Sequence, residues 1–382
     1  MEIKMNKPQV PVLLLTGYLG SGKTTLLNRI LTNKKGIKFA VVVNDIGEVN
    51  IDASLIEKGG VVGGTDDSLV ALQNGCICCT LKMDLVAQLA DLTRGGRFDY
   101  IVIEASGICE PAPIAQTVST MPALAPQSVM DGIPYVDCIA TVVDSLRMKD
   151  EFDGGSALEK DDIGEDDLER LVIEQIEFCN IVLLNKAAEL TPDEMGKLKG
   201  IVKSINPGAK VLECNYGDVD LDELIYTGMF RFDEVATSAA WIAAIEGEEE
   251  EDEEAEGEAL EYGIDTYVYT RRPAFDLNKF DHMVARKWPA NVIRAKGLCY
   301  FSADPDKCYL FEQAGKQKSL KDCGLWFATM EPDELAEMME RDRKLREDWD
   351  PEYGDRMQKL VFIGQHLDKK ALEQLLDSCL AD

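Results

Sequence analysis

A glycine-rich loop between an apolar run and a helical pattern constrains this chain more than any other feature. Residues 12–16 read Val-Leu-Leu-Leu-Thr and precede Gly-Tyr-Leu-Gly-Ser-Gly-Lys-Thr at residues 17–24, which fits the pattern G-x-x-x-x-G-K-[ST]. In this motif backbone N–H groups turn inward around phosphate oxygens, and the N-terminus of the following helix favours the bound anion. We predict that the phosphates and Mg²⁺ are held by Gly17, Gly20, Ser21, Gly22, Lys23, Thr24 and Thr25, with Lys23 on the β- and γ-phosphates and Thr24 on the metal.

Short apolar runs alternate with helical patterns through the first half of the chain. The runs are rich in Val, Ile and Leu, as buried strands are, and segments 25–33 and 81–94 show helical spacing. This alternation predicts an α/β fold, a mainly parallel sheet covered by helices on both faces, with ligands at the carboxyl ends of the strands. The predicted strands are residues 12–16, 39–44, 100–104, 138–144, 181–185 and 210–214.

A carboxylate at the end of one predicted strand is a candidate catalytic group. Glu104 closes the run 100–104, three residues before Gly107. Its side chain is placed to bind Mg²⁺ through water or to orient the attacking water, and the Gly107 N–H is placed to sense the γ-phosphate. The alternative is a generic Glu at the end of a strand.

Further carboxylates follow the predicted strand 39–44. Glu48 and Asp52 lie in a segment that we interpret as a switch region, and either side chain is placed to face the magnesium. A simple solvated loop is the alternative.

The segment after strand 181–185 resembles a guanine-reading motif but departs from it at one position. Asn185 and Lys186 match the first two residues of Asn-Lys-x-Asp, whose Asp accepts hydrogen bonds from guanine N1–H and the exocyclic amine. Here the fourth position is Ala188, and the nearest carboxylate, Glu189, comes one residue late. Glu189 substitutes only if the loop bulges. Otherwise the loss of one charged hydrogen bond, about 1.5–3 kcal/mol, lowers guanine affinity roughly ten- to a hundred-fold and leaves ATP as an alternative to GTP.

Three thiols lie between the two carboxylate segments. Cys76, Cys78 and Cys79 occur within four residues, and Thr80 is a good N-cap for the helix that follows. A helix N-terminus and the nearby Lys82 both lower the pKa of a thiol and favour the thiolate that binds metal. Three thiolates and one further ligand suit Zn²⁺, or alternatively Co²⁺ or Cu⁺.

The surrounding composition favours transient metal binding by these thiols. No second Cys-x-x-Cys is present, and the chain has only two histidines, His282 and His366. A three-thiolate site with an open position therefore fits a carried metal better than a closed structural site. Redox chemistry by Cys78 and Cys79, or purely structural thiols, are the alternatives. The lone cysteines Cys138, Cys179 and Cys299 lie in apolar runs and are predicted to be buried small hydrophobes.

Charge and cysteine content exclude several classes of protein. The formal charge of −30 argues against nucleic acid or an anionic membrane as the main partner. Eleven cysteines, an odd number, do not resemble a secreted disulfide framework, and no run is long and apolar enough to span a bilayer. We therefore expect a cytoplasmic protein with no nucleic-acid or membrane partner.

An acidic run divides the chain into two predicted domains. Residues 246–261 hold eleven carboxylates and cannot bury apolar surface, so we expect residues 236–262 to form a flexible linker that solubilises the chain or contacts a basic partner. The nucleotide-binding domain is then residues 1–235, and a smaller α+β domain spans residues 263–382. In the second domain we predict strands at 267–270, 298–302, 308–313 and 360–363, a turn at 303–307, and helices at 334–348 and 368–380. We also predict a surface insertion at 148–167.

The motifs taken together resemble the CobW-type metallochaperone GTPases, relatives of UreG and HypB. The similarity rests on residues 17–25, on Gly-Glu-x-x-Ile-Asp at 47–52, on Gly-Cys-Ile-Cys-Cys at 75–79, on Glu-x-Ser-Gly at 104–107 and on Asn-Lys at 185–186. It extends to Arg-Ala-Lys-Gly at 294–297, Leu-Trp at 325–326 and Val-Phe-Ile-Gly at 361–364 in the second domain.

The resemblance implies a P-loop domain of the SIMIBI class and slow GTP hydrolysis with Mg²⁺. It implies that Cys76, Cys78 and Cys79 hold zinc or cobalt as cargo, with Glu48 as a further ligand. The implied partners are a client metalloprotein or a cobalamin- or corrinoid-related protein, and relatives often form a nucleotide-dependent homodimer. The chain departs from the family at Asp45, where Glu is usual, and at Ala188. Its linker is acidic where many relatives have histidines.

From these features we expect a GTP-dependent metal chaperone whose thiols, lying between two switch segments, change geometry when the γ-phosphate leaves. The rival functions are a non-catalytic metal buffer or sensor regulated by nucleotide, an ATP-preferring P-loop NTPase, and a P-loop kinase acting on a small molecule.

Overall fold

The computed structural model describes residues 8–33, 35–44, 69–72, 82–107, 109–129, 132–152, 165–231, 263–314, 317–341, 345–346 and 348–381. The chain divides into two compact units, Met1–Ala239 and Ala240–Asp382. None of the helices within these ranges combines the length and apolar composition that a membrane span requires.

The first unit is a parallel sheet with helices between its strands. Its strands are β1 Gln9–Thr16, β2 Phe39–Asn44, β3 Leu69–Leu72, β4 Tyr100–Glu104, β5 Ile133–Asp144, β6 Ile181–Asn185 and β7 Lys210–Glu213. Its helices are α1 Lys23–Leu31, α2 Lys82–Thr93, α3 Pro111–Leu124, α4 Ser145–Phe152, α5 Glu165–Glu177 and α6 Pro192–Ile205.

The strand order places the glycine-rich loop at the centre of the sheet. The seven strands lie in the order β3-β2-β4-β1-β5-β6-β7, and all neighbours run parallel. Since β1 lies between β4 and β5, the chain order reverses there, and the crevice at its carboxyl end is the position where open α/β sheets bind ligands.

Burial explains why the central strands are continuous apolar runs. All five residues of both β4 and β6 are buried, as expected for strands covered on both faces. Helix α1 packs Leu26, Leu27 and Ile30 onto one of these faces. Helix α6 begins with a capping box, in which the Thr191 hydroxyl accepts from the Glu194 N–H and the Glu194 carboxylate accepts from the Thr191 N–H.

The second unit is an antiparallel sheet with its own core. Five strands lie in the order β11-β10-β9-β12-β8, and an aromatic cluster around Phe275, Phe280 and Phe362 packs on them. The strands are β8 Ile264–Arg271, β9 Val292–Phe301, β10 Asp304–Ala314, β11 Gln317–Leu325 and β12 Gln358–Gln365. The helices are α7 Leu277–Arg286, α8 Pro332–Arg341 and α9 Lys369–Asp377.

The predicted α/β fold with a smaller α+β domain is confirmed, and the differences concern two strands that were not predicted and the ends of other elements. The strands predicted at 39–44, 100–104 and 181–185 have the predicted bounds. Strands β3 and β11 were missed. Strands β5, β9 and β10 are longer than predicted, so the turn expected at 303–307 is wrong, since β10 already begins at Asp304.

Two further predictions concern segments where the structure has helices. Of the helix expected at 334–348, the structure describes α8 up to Arg341 and helical backbone at residues 345–346, and residues 342–344 and 347 lie outside the described part of the chain. The predicted insertion at 148–167 begins inside α4, where Met148 is buried, because this helix packs against the first sheet. Residues 153–164 lie outside the described part of the chain, as does the predicted linker up to residue 262.

Candidate nucleotide site

The loop between β1 and α1 makes a tight turn that only glycine permits at its first position. Gly17 has a φ of 134°, and a Cβ atom there would lie 2.3 Å from the Val142 carbonyl oxygen of β5. Gly20 and Gly22 also have positive φ values, of 78° and 108°. The Ser21 N–H donates to the Tyr18 carbonyl across the turn. The geometry is that of a backbone cradle at a helix N-terminus, which fits phosphate.

Lys23 is held over the start of this loop. Its Nζ donates to the Gly17 carbonyl oxygen at 2.6 Å and to that of Tyr18 at 3.1 Å, and the residue is buried. A buried ammonium wrapped in the loop backbone provides the positive charge that β- and γ-phosphates require. The predicted phosphate residues therefore share one site.

The candidate magnesium ligands Thr24 and Glu104 lie together at the edge of this site. The Thr24 hydroxyl donates to Glu104 Oε1 at 3.1 Å. Glu104 is 2% exposed and stands opposite Leu15 in the β1–β4 pairing. A hydroxyl and a carboxylate are hard oxygen donors and fit Mg²⁺. The position of Thr24 in the first turn of α1 brings these two groups together.

Gly107 lies directly against the phosphate loop. A Cβ atom at Gly107 would be 2.7 Å from the Leu19 nitrogen, so a larger residue would displace the loop. The predicted contact of Gly107 with the γ-phosphate stays a prediction.

A buried glutamine that was not predicted from the sequence supports the segment around Gly107. Gln175 on α5 is 1% exposed, and its Nε2 donates to the Cys109 carbonyl at 3.3 Å and approaches that of Gly107 at 3.5 Å. The Thr141 hydroxyl donates to the Gln175 carbonyl. A polar residue among the apolar positions of an amphipathic helix was the only signal in the sequence.

Asn185 connects the phosphate loop to the loop after β7. Its Nδ2 donates to the Ser21 carbonyl at 2.8 Å, and its Oδ1 accepts from the Gly217 N–H at 3.2 Å and from the Cys214 thiol at 3.6 Å. Asn185 is 3% exposed. One buried amide therefore holds together two loops that lie far apart in sequence.

The residues that follow Asn185 in the base-reading segment lie at the rim of the nucleotide site. Lys186 has a φ of 63° and its ammonium is paired with the Asp144 carboxylate. Residues 187–189 form a short 3₁₀ turn in which Glu189 is exposed. The Ala188 N–H donates to Asn215 Oδ1 at 2.8 Å. No bulge brings Glu189 into the position of Ala188.

The loop after β7 is fixed from the side of α1. Arg29 donates through Nε to the Tyr216 carbonyl at 2.8 Å and through Nη1 to Asp218 Oδ1 at 2.7 Å. Tyr216 has a φ of 55° and is 78% exposed. Residues 214–217 thus present a fixed edge beside Asn185.

Several predicted site residues lie outside the described residues. These are Cys76, Cys78, Cys79, Glu48 and Asp52, so their roles stay predictions. Within the described ranges no group of three or more His, Cys, Asp or Glu side chains is arranged to hold a metal. The predicted burial of Cys138, Cys179 and Cys299 is confirmed.

The fold and the site define a P-loop nucleotide-binding protein, with its phosphate loop at the reversal point of a parallel sheet. The CobW/HypB/UreG nucleotide-binding domain matches residues 11–213, and the cobalamin synthesis protein cobW C-terminal domain matches residues 264–380. The chain therefore belongs to the CobW/HypB/UreG family.

Proteins similar to this chain include a zinc-regulated GTPase metalloprotein activator and a zinc chaperone. It is 33% identical over 387 residues to zinc-regulated GTPase metalloprotein activator 1 of Dictyostelium discoideum, covering 97% of this chain and 80% of that protein. It is 26% identical to the zinc chaperone CobW of Sinorhizobium sp, covering 79% of this chain and 84% of the relative. Among solved structures, Zn(II)-bound YjiA GTPase from E. coli matches at 21% identity with a TM-score of 0.42, covering 98% of this chain and 99% of that one.

Proposed function

We propose that this protein is a GTP-dependent zinc chaperone that couples GTP hydrolysis to delivery of the metal to a client metalloprotein. The observation that carries the proposal is the site formed by the glycine-rich loop, Lys23, Thr24 and Glu104. Family membership and the zinc-related names of the relatives support the cargo.

The route of the chain supports coupling between the nucleotide and the metal. Strand β3 ends at Leu72 and runs parallel to β2, so it ends at the same edge of the sheet as β1 and β4. Residues 73–81, which carry Cys76, Cys78 and Cys79, connect that edge to α2. The thiols therefore follow a strand that ends on the nucleotide side of the sheet.

Hydrolysis at this site depends mainly on positioning and charge. The loop backbone and Lys23 orient the phosphates, and Glu104 and Gly107 are the groups placed to orient a water and to respond to the γ-phosphate. Magnesium, when bound by Thr24 and Glu104, supplies charge neutralisation. Because Leu19 and Gly107 are in contact, movement of either segment is transmitted to the other.

The test is the zinc affinity of the full chain loaded with GDP or with a non-hydrolysable GTP analogue. Coupling predicts different affinities, and by linkage zinc must then shift the nucleotide affinities by the same factor. Equal zinc affinities in both nucleotide states would overturn the coupling.

Two sets of variants separate zinc binding from nucleotide binding. Replacing Cys76, Cys78 and Cys79 with Ser should abolish tight zinc binding while GDP still binds. Lys23→Ala should remove nucleotide binding or turnover while the apo chain still binds zinc. A chain that binds zinc and GTP but releases no phosphate over many turnovers would be a metal buffer or sensor. A cobalamin-related client and a nucleotide-dependent homodimer stay predictions.

A further inference from the structure

The base-reading segment lacks the carboxylate of the guanine-reading motif, and an amide from another loop is hydrogen-bonded to its main chain at that position. Ala188 occupies the Asp position of the motif, and its side chain offers no hydrogen-bonding group. The side chain of Asn215 is hydrogen-bonded to the main chain at this position: its Oδ1 accepts the Ala188 N–H at 2.8 Å.

This hydrogen bond fixes the orientation of the Asn215 amide. A backbone N–H can be met only by an acceptor, so the oxygen of Asn215 faces Ala188 and the Nδ2 group faces away from it. Asn215 is half-buried. What it offers at the rim of the site is therefore a pair of N–H donors.

The position of Asn215 relative to the phosphates is set by its neighbours. Gly217, two residues on, donates to Asn185, and Asn185 donates to Ser21 in the phosphate loop. The main chain of the next residue, Tyr216, is fixed by Arg29. Asn215 therefore lies on a loop held against the nucleotide site from two sides.

Glu189 does not replace the missing carboxylate. In a 3₁₀ turn successive side chains leave the axis about 120° apart. The side chain of Glu189 consequently departs in a different direction from that of Ala188, and the residue is exposed.

We propose that Asn215 reads the 6-position of the purine at this site, and that no carboxylate within the described ranges reads the 2-amino group. A donor at this position pairs with the 6-oxo group of guanine or hypoxanthine and opposes the 6-amino group of adenine. The site then selects 6-oxopurine nucleotides as a class and accepts inosine nucleotides as readily as guanosine nucleotides. The inference rests on the proposed nucleotide-binding function and adds the basis of its selectivity.

The test is a comparison of GDP, IDP and ADP binding to the full chain with Mg²⁺, by equilibrium titration. GDP and IDP differ only in the 2-amino group, whereas IDP and ADP differ at the 6-position. We expect the dissociation constants of GDP and IDP to agree within about threefold, and ADP to bind about tenfold more weakly or worse. A preference of tenfold or more for GDP over IDP would overturn the inference.

Two substitutions test the assignment of roles. Ala188→Asp restores the acceptor for the 2-amino group and should create a preference of about ten- to a hundred-fold for GDP over IDP. Asn215→Asp keeps an acceptor for the Ala188 N–H but removes the Nδ2 donor, so GDP and IDP should weaken while ADP strengthens relative to both.

The outcomes distinguish this inference from the proposed function. If Asn215→Asp leaves all three affinities unchanged, or weakens all three equally, Asn215 does not read the base and the inference fails. If GDP, IDP and ADP bind the unsubstituted chain no more tightly than they bind Lys23→Ala, both the nucleotide site and the inference fail. Asp222→Asn, an exposed position further along the chain whose carboxylate is paired with Lys35, is the matched control and should leave the order of the three affinities unchanged.

Discussion

The Thr24 hydroxyl donates to Glu104 Oε1 at 3.1 Å, joining the first turn of α1 to the end of β4 across 80 residues of sequence. The two residues belong to different elements, but α1 follows β1, and β1 and β4 are neighbouring parallel strands that end at the same edge of the sheet. Their carboxyl ends thus bring a hydroxyl and a buried carboxylate to the place where the phosphates enter.

Replacing Glu104 with Gln should slow GTP hydrolysis and preserve GDP binding. Gln keeps the size of the side chain and an acceptor for Thr24 but removes the negative charge that orients water or holds magnesium. We expect single-turnover phosphate release to fall by about 10²- to 10⁴-fold, the range typical of a lost general base. Glu110→Gln, an exposed position before α3, is the control; an undiminished rate in Glu104→Gln would show that Glu104 is structural.

Asn185→Ala should lower both folding stability and nucleotide affinity. The substitution leaves the Ser21 carbonyl and the Gly217 N–H without this buried partner, which costs about 1–3 kcal/mol of unfolding free energy. Urea unfolding followed by circular dichroism measures the loss, and a GDP titration measures the affinity. Asn33→Ala, which makes only local contacts near the end of α1, should change neither by a comparable amount.

The prediction of this site from sequence succeeded where the information was local. The phosphate loop and the strands around it are specified by contiguous residues, because buried parallel strands must be continuously apolar. The hydrogen bond between Asn185 and Ser21 spans 164 residues, and no local sequence pattern predicts it. Gln175 was missed for the same reason, since the two carbonyls that its side chain approaches lie 66 and 68 residues away.

The prediction missed strands β3 and β11 for different physical reasons. Strand β11 lies at the edge of its sheet and is largely exposed, so its sequence, QKSLKDCGL, has none of the alternation that marks a half-buried strand. Strand β3 has only four residues, too few to separate it from the surrounding loop.

Glu312 should make the stability of the second unit depend on acid pH. Burial alone raises the pKa of Glu312, but Lys296 at 2.8 Å, Lys321 at 2.7 Å and the nearby Arg294 outweigh it and lower the pKa to about 2. Because the folded-state pKa lies below the ordinary value near 4.5, this stabilisation is complete above about pH 4.5 and is lost as the pH falls towards 2.

The measurement compares Glu312→Gln with the unsubstituted chain across pH. We expect the variant to unfold with a free energy lower by on the order of 3 kcal/mol at pH 7, and the difference to shrink below pH 4.5. All four tryptophans lie in the unit Ala240–Asp382, so their fluorescence reports its unfolding. The exposed Glu334→Gln on α8 is the control; a difference that persists unchanged to pH 3 would contradict the ion-pair explanation.

Cysteine alkylation should separate the thiols that we propose as zinc ligands from the buried thiols. Burial raises the pKa of Cys179 and of Cys308 to about 12 and that of Cys214 to about 11, and the reactive species is the thiolate. Brief treatment of the native apo chain with iodoacetamide at pH 7.5 should therefore leave these thiols unmodified, whereas Cys323 is exposed and should react.

Zinc should protect Cys76, Cys78 and Cys79 from the same reagent. As metal ligands they bind as thiolates, so the metal-free chain should be alkylated at these positions, and one equivalent of zinc should block the reaction. Peptide mass spectrometry with and without zinc identifies each site, and Cys323 serves as the internal control because its labelling should not change. If Cys76, Cys78 and Cys79 react equally with and without zinc while the chain still binds the metal, the cargo ligands lie elsewhere.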